Sequence, residues 1–177
     1  NSHSFHFTPY AIGENSGNIS IISNSPVCWK YGSKMISSLD WSPDDQVLAA
    51  GSADSSFKLW NITKQLSTGP VEVHTSSVIS LNFHPTQSNL LVSGESLKTV
   101  CIWDLRESTA RPQKRIVRSD NRKQNHNLVQ QLNKVNFVPF SNQLIALFQD
   151  SLVFYDCRWT KRILNEIESP SSKGFVT

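Results

Sequence analysis

The stretch Val47-Leu48-Ala49-Ala50-Gly51-Ser52-Ala53-Asp54-Ser55-Ser56-Phe57-Lys58-Leu59-Trp60-Asn61 consists of two apolar runs around a short polar turn. This pattern predicts a β-hairpin, because strands are bounded by small and polar turn residues. An alternating segment before it, Ile36–Trp41, stops at Ser42-Pro43 and predicts another strand with one buried face. Each such unit is therefore expected to contain at least three consecutive antiparallel strands.

The unit recurs along the chain. Asp40-Trp41-Ser42-Pro43 reappears 42 residues later as Asn82-Phe83-His84-Pro85 and a further 54 residues on as Asn136-Phe137-Val138-Pro139. His6-Phe7-Thr8-Pro9 lies 34 residues before the first copy. A weaker fourth strand fits residues 70–73 and 114–117, ahead of the next repeat. Four strands per unit and a period near 43 residues predict the blades of a β-propeller.

Gly51-Ser52-Ala53-Asp54 and Ile102-Trp103-Asp104 resemble the WD-repeat family. The resemblance covers nearly the whole chain and is strongest over residues 35–106. It implies an all-β fold, a partial propeller of about four consecutive four-stranded blades from a propeller that usually has seven. The blades are expected at residues 1–34, 35–75, 76–134 and 135–172, with 173–177 starting another. Four blades leave open strand edges, so further blades are expected in a longer chain.

The resemblance also implies a buried polar set in each blade, in which a His, a Ser or Thr, an Asp and a Trp share hydrogen bonds. The members expected here are Asp54 and Trp60 in the second unit and His74, Ser93 and Trp103 in the third. Both sets are expected to be incomplete, since Ala50 replaces the Ser and Leu97 replaces the Asp. Because such networks require every member to be satisfied, apolar packing is expected to dominate.

Two successive units end in a related motif, Trp103-Asp104-Leu105-Arg106 and Tyr155-Asp156-Cys157-Arg158. These motifs resemble those of substrate receptors of cullin-4 ubiquitin ligases, in which the Arg side chains contact the propeller adaptor of the ligase. The resemblance assigns adaptor binding to Trp103, Asp104, Arg106, Asp156 and Arg158. A fork-shaped guanidinium suits an interface anchor. The alternative is that each Arg pairs with a nearby carboxylate.

A basic insertion, residues 107–132, follows the first motif and is similar in position to that of Denticleless-type receptors. The insertion contains six Lys or Arg residues and only two acidic residues. Its candidate phosphate contacts are Arg115, Arg118, Arg122 and Lys123. A solvated loop is the alternative. Residues 119–127 contain no aromatic side chain, which disfavours base stacking.

Composition limits the function. The 177 residues carry a net charge of +3, too small to imply nucleic acid by itself. Three cysteines without a CxxC pair and five histidines without ligand spacing predict no disulfide framework and no metal site. We find no nucleophile motif, paired carboxylates or Gly-rich phosphate loop, so neither an enzyme nor a cofactor is expected.

No apolar run approaches the roughly 20 residues that cross a bilayer, so no membrane association is expected. An intracellular protein, nuclear rather than cytoplasmic, is expected to bind other proteins: a cullin-4 adaptor and the substrates delivered to that ligase. The alternative is a general WD-repeat scaffold in a chromatin, ribosome-assembly or trafficking complex. Nucleic acid would be bound only through the basic insertion.

Overall fold

A computed structural model of the protein describes residues 10–22, 26–107, 111–118, 131–149, 151–157 and 163–168. The described secondary structure is made of β-strands, as the alternating segments predict. The strands are β1 (Tyr10–Gly13), β2 (Asn18–Ile22), β3 (Val27–Lys30), β4 (Ile36–Trp41), β5 (Val47–Ser52), β6 (Phe57–Asn61), β7 (Leu66–Ser67), β8 (Val78–His84), β9 (Gln87–Glu95), β10 (Thr99–Asp104), β11 (Lys114–Val117), β12 (Leu132–Phe137), β13 (Gln143–Phe148), β14 (Ser151–Asp156) and β15 (Ile163–Glu168).

The strands form four antiparallel sheets, each a simple up-and-down meander. The first sheet has the described strands β1 to β3, the second β4 to β7, the third β8 to β11 and the fourth β12 to β15. Short turns join neighbours; between β5 and β6, for example, Ser55 adopts a positive φ of 73°. The all-β prediction and the repeated hairpins are confirmed. The segment His6-Phe7-Thr8-Pro9 lies outside the described residues, as do residues 173–177.

The first strands of the second, third and fourth sheets lie side by side and run parallel. Ser38 Oγ accepts a hydrogen bond from Leu81 N at 2.9 Å, and Asp40 Oδ2 accepts one from Phe83 N at 2.6 Å. Ser80 Oγ accepts one from Val135 N at 3.1 Å in the same way. Polar side chains of one sheet thus satisfy backbone donors on the inner edge of the next sheet. Sheets joined repeatedly by their inner strands have the arrangement of propeller blades.

Apolar side chains fill the space between successive sheets. Trp103 of the third sheet is fully buried and meets Phe57 of the second at 4.9 Å between ring centroids, edge to face. Leu132 and Val135 of the fourth sheet pack against Val92 and Val100 of the third. The core is therefore divided into layers, one for each pair of neighbouring sheets.

β5 and β9 each have a glycine at an equivalent position, Gly51 and Gly94, and these glycines permit the close approach of successive sheets. A Cβ atom on Gly51 would lie 2.8 Å from Val78 Cγ1, and one on Gly94 would collide with the Leu132 side chain. The register places Leu147 of β13 at the equivalent position of the fourth sheet, where it is 43% exposed. The fourth sheet thus presents a bulky side chain where its neighbours present glycine.

Two sequence expectations about outer strands are modified. The fourth strand of the second sheet is Leu66–Ser67 rather than residues 70–73, and Val71 only bridges to Phe57. Within the basic insertion, Lys114–Val117 forms β11 and Leu132 already begins β12. The insertion is thus partly built into two sheets. In the described part of the chain, no helix is long and apolar enough to span a bilayer.

Candidate functional site

One end of the sheets collects the turns that follow the first and third strands of the second, third and fourth sheets. This follows from the parallel first strands and the meander order within each sheet. We call this end the turn face; its described members are residues 42–46, 62–65, 85–86, 105–107, 138–142 and 157. Loops on a rigid β-scaffold are the usual carriers of binding residues.

Arg106 lies on the turn face, directly after β10. Its side chain is 71% exposed, whereas that of Asp104 is buried. Arg106 Nε donates to Asp104 Oδ1 at 3.0 Å and Nη2 donates to Oδ2 at 2.5 Å, so the two planar groups meet as a fork. Asn89 Nδ2 also donates to Asp104 Oδ1, at 3.2 Å. These hydrogen bonds, first of all those from Arg106, hold the pKa of Asp104 well below its usual range.

This fork is the carboxylate pairing that the sequence left open as the alternative for Arg106. It uses two of the five N–H donors of the guanidinium and fixes the group at the surface. Trp103, the neighbouring residue of the motif, is buried in the core and does not reach the turn face. Within the first motif Arg106 is the exposed side chain, while Leu105 is half-buried.

The second motif is only partly described. Tyr155 and Asp156 are buried at the end of β14, and burial raises the pKa of Tyr155. Arg158 lies outside the described residues, so its proposed adaptor contact stays a prediction.

The third sheet contains a connected polar set built on Ser93. His74 Nε2 and Ser93 Oγ are 2.7 Å apart, and Trp103 Nε1 donates to the same oxygen at 2.8 Å. The sequence predicted that this set has no acidic member, because Leu97 stands where the Asp is expected. The structure corrects this prediction, because Glu95, two residues after Ser93, is buried. Glu95 Oε2 accepts a hydrogen bond from Thr75 N at 2.8 Å and lies 3.4 Å from His74 Nδ1. The alternating pattern Ser93-Gly94-Glu95 is the signal that sequence reasoning missed.

The second sheet uses a different set. Tyr31 OH lies 2.6 Å from Ser56 Oγ, which donates to Asp54 Oδ1 at 2.7 Å. Trp60 instead stacks on Trp29, with ring centroids 5.5 Å apart and planes 7° from parallel. Tyr31 precedes β4 much as His74 precedes β8, so its position before the strand could have revealed it. The polar set of the second sheet therefore runs from Tyr31 through Ser56 to Asp54.

The candidate phosphate contacts fall into different environments. Arg118 is buried, where it donates to Ser151 Oγ at 2.7 Å and pairs with Glu166 of β15. Its guanidinium also lies 4.4 Å from the Phe148 ring centroid. This position between two sheets differs from the solvated loop that the sequence indicated. Arg115 is exposed on β11, while Arg122 and Lys123 lie outside the described residues.

One exposed turn-face residue was not singled out from the sequence. Phe140 is 95% exposed and has a φ of 57°. The signal was available, since Pro139-Phe140 stands where the second unit has Pro43-Asp44.

The described residues bring together no group of three or more His, Cys, Asp or Glu side chains with the proximity of metal ligands. The described cysteines Cys28, Cys101 and Cys157 are free thiols.

Comparison with known proteins agrees with the architecture. Residues 27–61 and 64–104 match the model of the WD domain, G-beta repeat. These two segments are parts of the first three sheets that the structure describes.

Curated proteins with quite different names are similar to parts of this chain. The B-type cell cycle switch protein ccs52B of Medicago truncatula is 42% identical over 64 residues, 36% of this chain and 13% of that protein. The mouse protein transport protein Sec31B is 40% identical over 65 residues, 33% of this chain and 6% of that protein. Mouse Coronin-7 is 40% identical over 83 residues, 41% of this chain and 9% of that protein. The chain thus aligns with only a small part of each relative.

A solved chain in the crystal structure of the Mitotic Checkpoint Complex has a TM-score of 0.73 and 19% sequence identity. The likeness covers 93% of this chain and 52% of that chain, and at this identity it bears on the fold alone. The repeat match, the meander sheets and this likeness lead to one conclusion. The chain carries two segments that match the WD domain, G-beta repeat, and its sheets form a partial β-propeller.

Proposed function

We propose that this protein is a protein-binding scaffold that serves as a substrate receptor of a cullin-4 RING ubiquitin ligase and acts in the nucleus. The turn face would bind the propeller adaptor of the ligase through Arg106, with Arg158 as a second contact. Substrates would bind elsewhere on the rigid sheets.

The observation that carries the proposal is the exposed Arg106 guanidinium beside a buried carboxylate. Asp104 holds the guanidinium through two hydrogen bonds, so little side-chain freedom remains to be lost when a partner binds. An arginine fixed in this way resembles the anchors that dominate protein interfaces. Tyr155-Asp156-Cys157-Arg158 repeats the motif at the end of the next unit, which supports a shared surface.

The test is a binding measurement between the purified chain and the purified propeller adaptor of a cullin-4 ligase. Arg106→Ala is expected to weaken binding by about tenfold or more, as for an anchor residue. Arg106→Lys is expected to weaken it too, because an ammonium keeps the charge but loses the planar fork. Lys34→Ala, an exposed residue of the connection between β3 and β4 at the opposite end of the sheets, is the matched control and should bind like the wild type.

Thermal unfolding of each variant shows that the fold survives. If the wild-type chain does not bind the adaptor, the ligase proposal is wrong. Equal binding by Arg106→Ala and the wild type would show that Arg106 is not the anchor.

A second candidate is a general WD-repeat scaffold of a chromatin, ribosome-assembly or trafficking complex. The observation in its favour is the range of relatives, since a cell cycle switch protein and a protein transport protein match the chain over similarly short segments. Binding specificity in such folds depends on surface loops rather than on the blade frame. Failure to bind the adaptor, together with an intact fold, would favour this candidate.

A further inference from the structure

We infer that the outer face of the fourth sheet binds a fifth sheet whose first strand lies in residues 173–177, with Gly174 directly over Leu147. At this junction the glycine and the bulky side chain would exchange the places that they have between the described sheets. The inference concerns a different surface from the turn face and does not depend on the ligase proposal.

The first reason is a row of apolar side chains across the fourth sheet. Leu147 pairs with Leu152, and Leu152 pairs with Ile167, so the three side chains share one face of the sheet. Leu147 is 43% exposed and Ile167 is 53% exposed. Ala146 and Phe148, the chain neighbours of Leu147, point to the other face and pack in the layer shared with the third sheet. The apolar row is therefore turned away from the third sheet.

The same row is covered in the second and third sheets. Its members there are Gly51, Phe57 and Val71 in the second sheet and Gly94, Val100 and Ile116 in the third. The apolar side chains of both rows are buried in the layer shared with the following sheet. A row of this kind thus belongs between two sheets, and the row of the fourth sheet is one that a following sheet would bury.

The second reason is the leucine in this row. Where described sheets meet, a glycine lies against the first residue of the following first strand, in the pairs Gly13–Ile36, Gly51–Val78 and Gly94–Leu132. Leu147 places an isobutyl group at the glycine position. Because interiors are close-packed, a fifth sheet can approach equally closely only if its first strand has a much smaller residue there.

Gly174 meets this requirement. The shortest connection between described sheets runs from Lys30, at the end of β3, to Ile36 six residues later. A connection of the same length from Glu168, at the end of β15, reaches Gly174. Three residues further along the first strand, a second side chain faces the glycine position.

This second side chain is Leu39, Leu81 or Val135 where described sheets meet. In the register that starts at Gly174 it is Thr177. Both residues that would face Leu147 are therefore smaller than their counterparts, as a leucine at the glycine position demands.

The third reason is a buried acceptor that lacks a donor. Asn136 Oδ1 is buried and has no hydrogen-bond partner among the described residues. Asp40 has the same place in β4, where its Oδ2 accepts a hydrogen bond from Phe83 N of the following first strand at 2.6 Å. A first strand that runs parallel to β12 would bring a backbone N–H to Asn136 as it continues from Gly174.

A fifth sheet also accounts for the exposure of Phe140. Asp44, the aligned residue of the second sheet, hydrogen-bonds Ser88 of the third sheet, so this turn position contacts the sheet that follows. Phe140 would likewise lie against the fifth sheet, which would cover its ring.

The experiment measures the Tm of the wild type, Gly174→Val, Leu147→Gly and the double variant. In the wild-type background the added isopropyl group would push against Leu147, so Gly174→Val should lower the Tm by about 3–6 °C. In the Leu147→Gly background the same substitution should raise the Tm by about as much, because the pair then matches Gly51 and Val78. The reversal of sign is the signature of direct contact between the two positions.

Gly69→Val is the matched control, since a Cβ there meets nothing within 4 Å. It should shift the Tm by less than about 1 °C in either background. Leu147→Ala serves as a second, milder background, in which the fall caused by Gly174→Val should be smaller than in the wild type.

Two results would overturn the inference. If Gly174→Val leaves the Tm unchanged in every background, residue 174 does not pack on Leu147. An equal fall in every background would show that position 174 needs glycine for its own backbone rather than for Leu147. None of these results involves the ligase adaptor, so the proposed function stands or falls separately.

Discussion

Trp103 Nε1 donates a 2.8 Å hydrogen bond to Ser93 Oγ between adjacent strands of the third sheet, where both residues are fully buried. The same oxygen lies 2.7 Å from His74 Nε2, so one hydroxyl joins the strand pair to the segment before β8. The shared hydroxyl therefore holds the segment just before β8, which carries His74, against the hairpin formed by β9 and β10.

Ser93→Ala is expected to lower the free energy of unfolding by about 1–3 kcal/mol. The substitution leaves the buried Trp103 N–H and a His74 ring nitrogen without their shared partner, and unsatisfied buried groups are costly. Urea denaturation of both chains measures the change. Ser33→Ala, at an exposed site, is the control, and equal stability of Ser93→Ala and the wild type would show that the shared hydroxyl does not matter.

The stability of the fold should decline as the pH falls below about 6.5. Burial, partly opposed by Glu95, lowers the pKa of His74 from its usual 6.5, and burial also lowers that of His84. Burial tends to raise the pKa of Glu95, but hydrogen bonds from Thr99 and Thr75 and the nearby His74 leave it lowered. In each case the unfolded chain binds more protons than the folded one, so acid favours unfolding.

Urea denaturation between pH 5 and pH 8 checks this dependence. His74→Gln keeps a group that can hydrogen-bond Ser93 and should flatten the decline between pH 6.5 and pH 5 in part, since His84 still titrates. If the stability of His74→Gln declined with falling pH as steeply as that of the wild type, His74 would not contribute to the acid sensitivity of the fold.

Gly94→Ala is expected to destabilise the fold by about 1–3 kcal/mol, because the added methyl group would push against Leu132 and Val135 of the next sheet. Gly69→Ala is the matched control, since a Cβ there meets nothing within 4 Å. Thermal unfolding of the two variants measures the difference. Similar Tm values for both would mean that the sheets do not approach as closely as described.

Arg118→Ala should cost about 3 kcal/mol of stability, because it removes a buried guanidinium that binds Ser151 and Glu166 across two sheets. Arg115→Ala, an exposed neighbour on β11, should change stability by less than about 0.5 kcal/mol. Chemical denaturation compares the two. If Arg118→Ala were as stable as Arg115→Ala, the buried contacts of Arg118 would not stabilise the fold.

Most of the sheet arrangement was predictable from the sequence because strand periodicity and turn residues are local signals. The run from Val47 to Asn61 gave both strands of a hairpin whose register pairs Gly51 with Phe57. The outer strands were less predictable, since β7 is only Leu66–Ser67 and has no alternating pattern. Short edge strands depend on contacts with their neighbours rather than on their own residues.

The buried networks were only partly predictable. Ser93 and His74 could be assigned by resemblance. Glu95 acts from a position that the family pattern does not use, and Tyr31 stands near the place of the His with a different side chain. The burial of Arg118 could not be foreseen, because its partner Glu166 is 48 residues away in the chain. Phe140 could have been noticed from the sequence, because it stands where the second unit has Asp44, but its positive φ is a property of the folded turn.

Hydrogen–deuterium exchange of the chain, alone and with the purified cullin-4 adaptor, tests the role of the turn face most directly. Bound adaptor should slow exchange in the turns at residues 105–107 and 138–142, which carry Arg106 and Phe140. The turns at the opposite end, residues 53–56 and 96–98, should exchange as in the free chain. Protection confined to those opposite turns, or no protection anywhere, would contradict the assignment of the turn face as the ligase-binding surface.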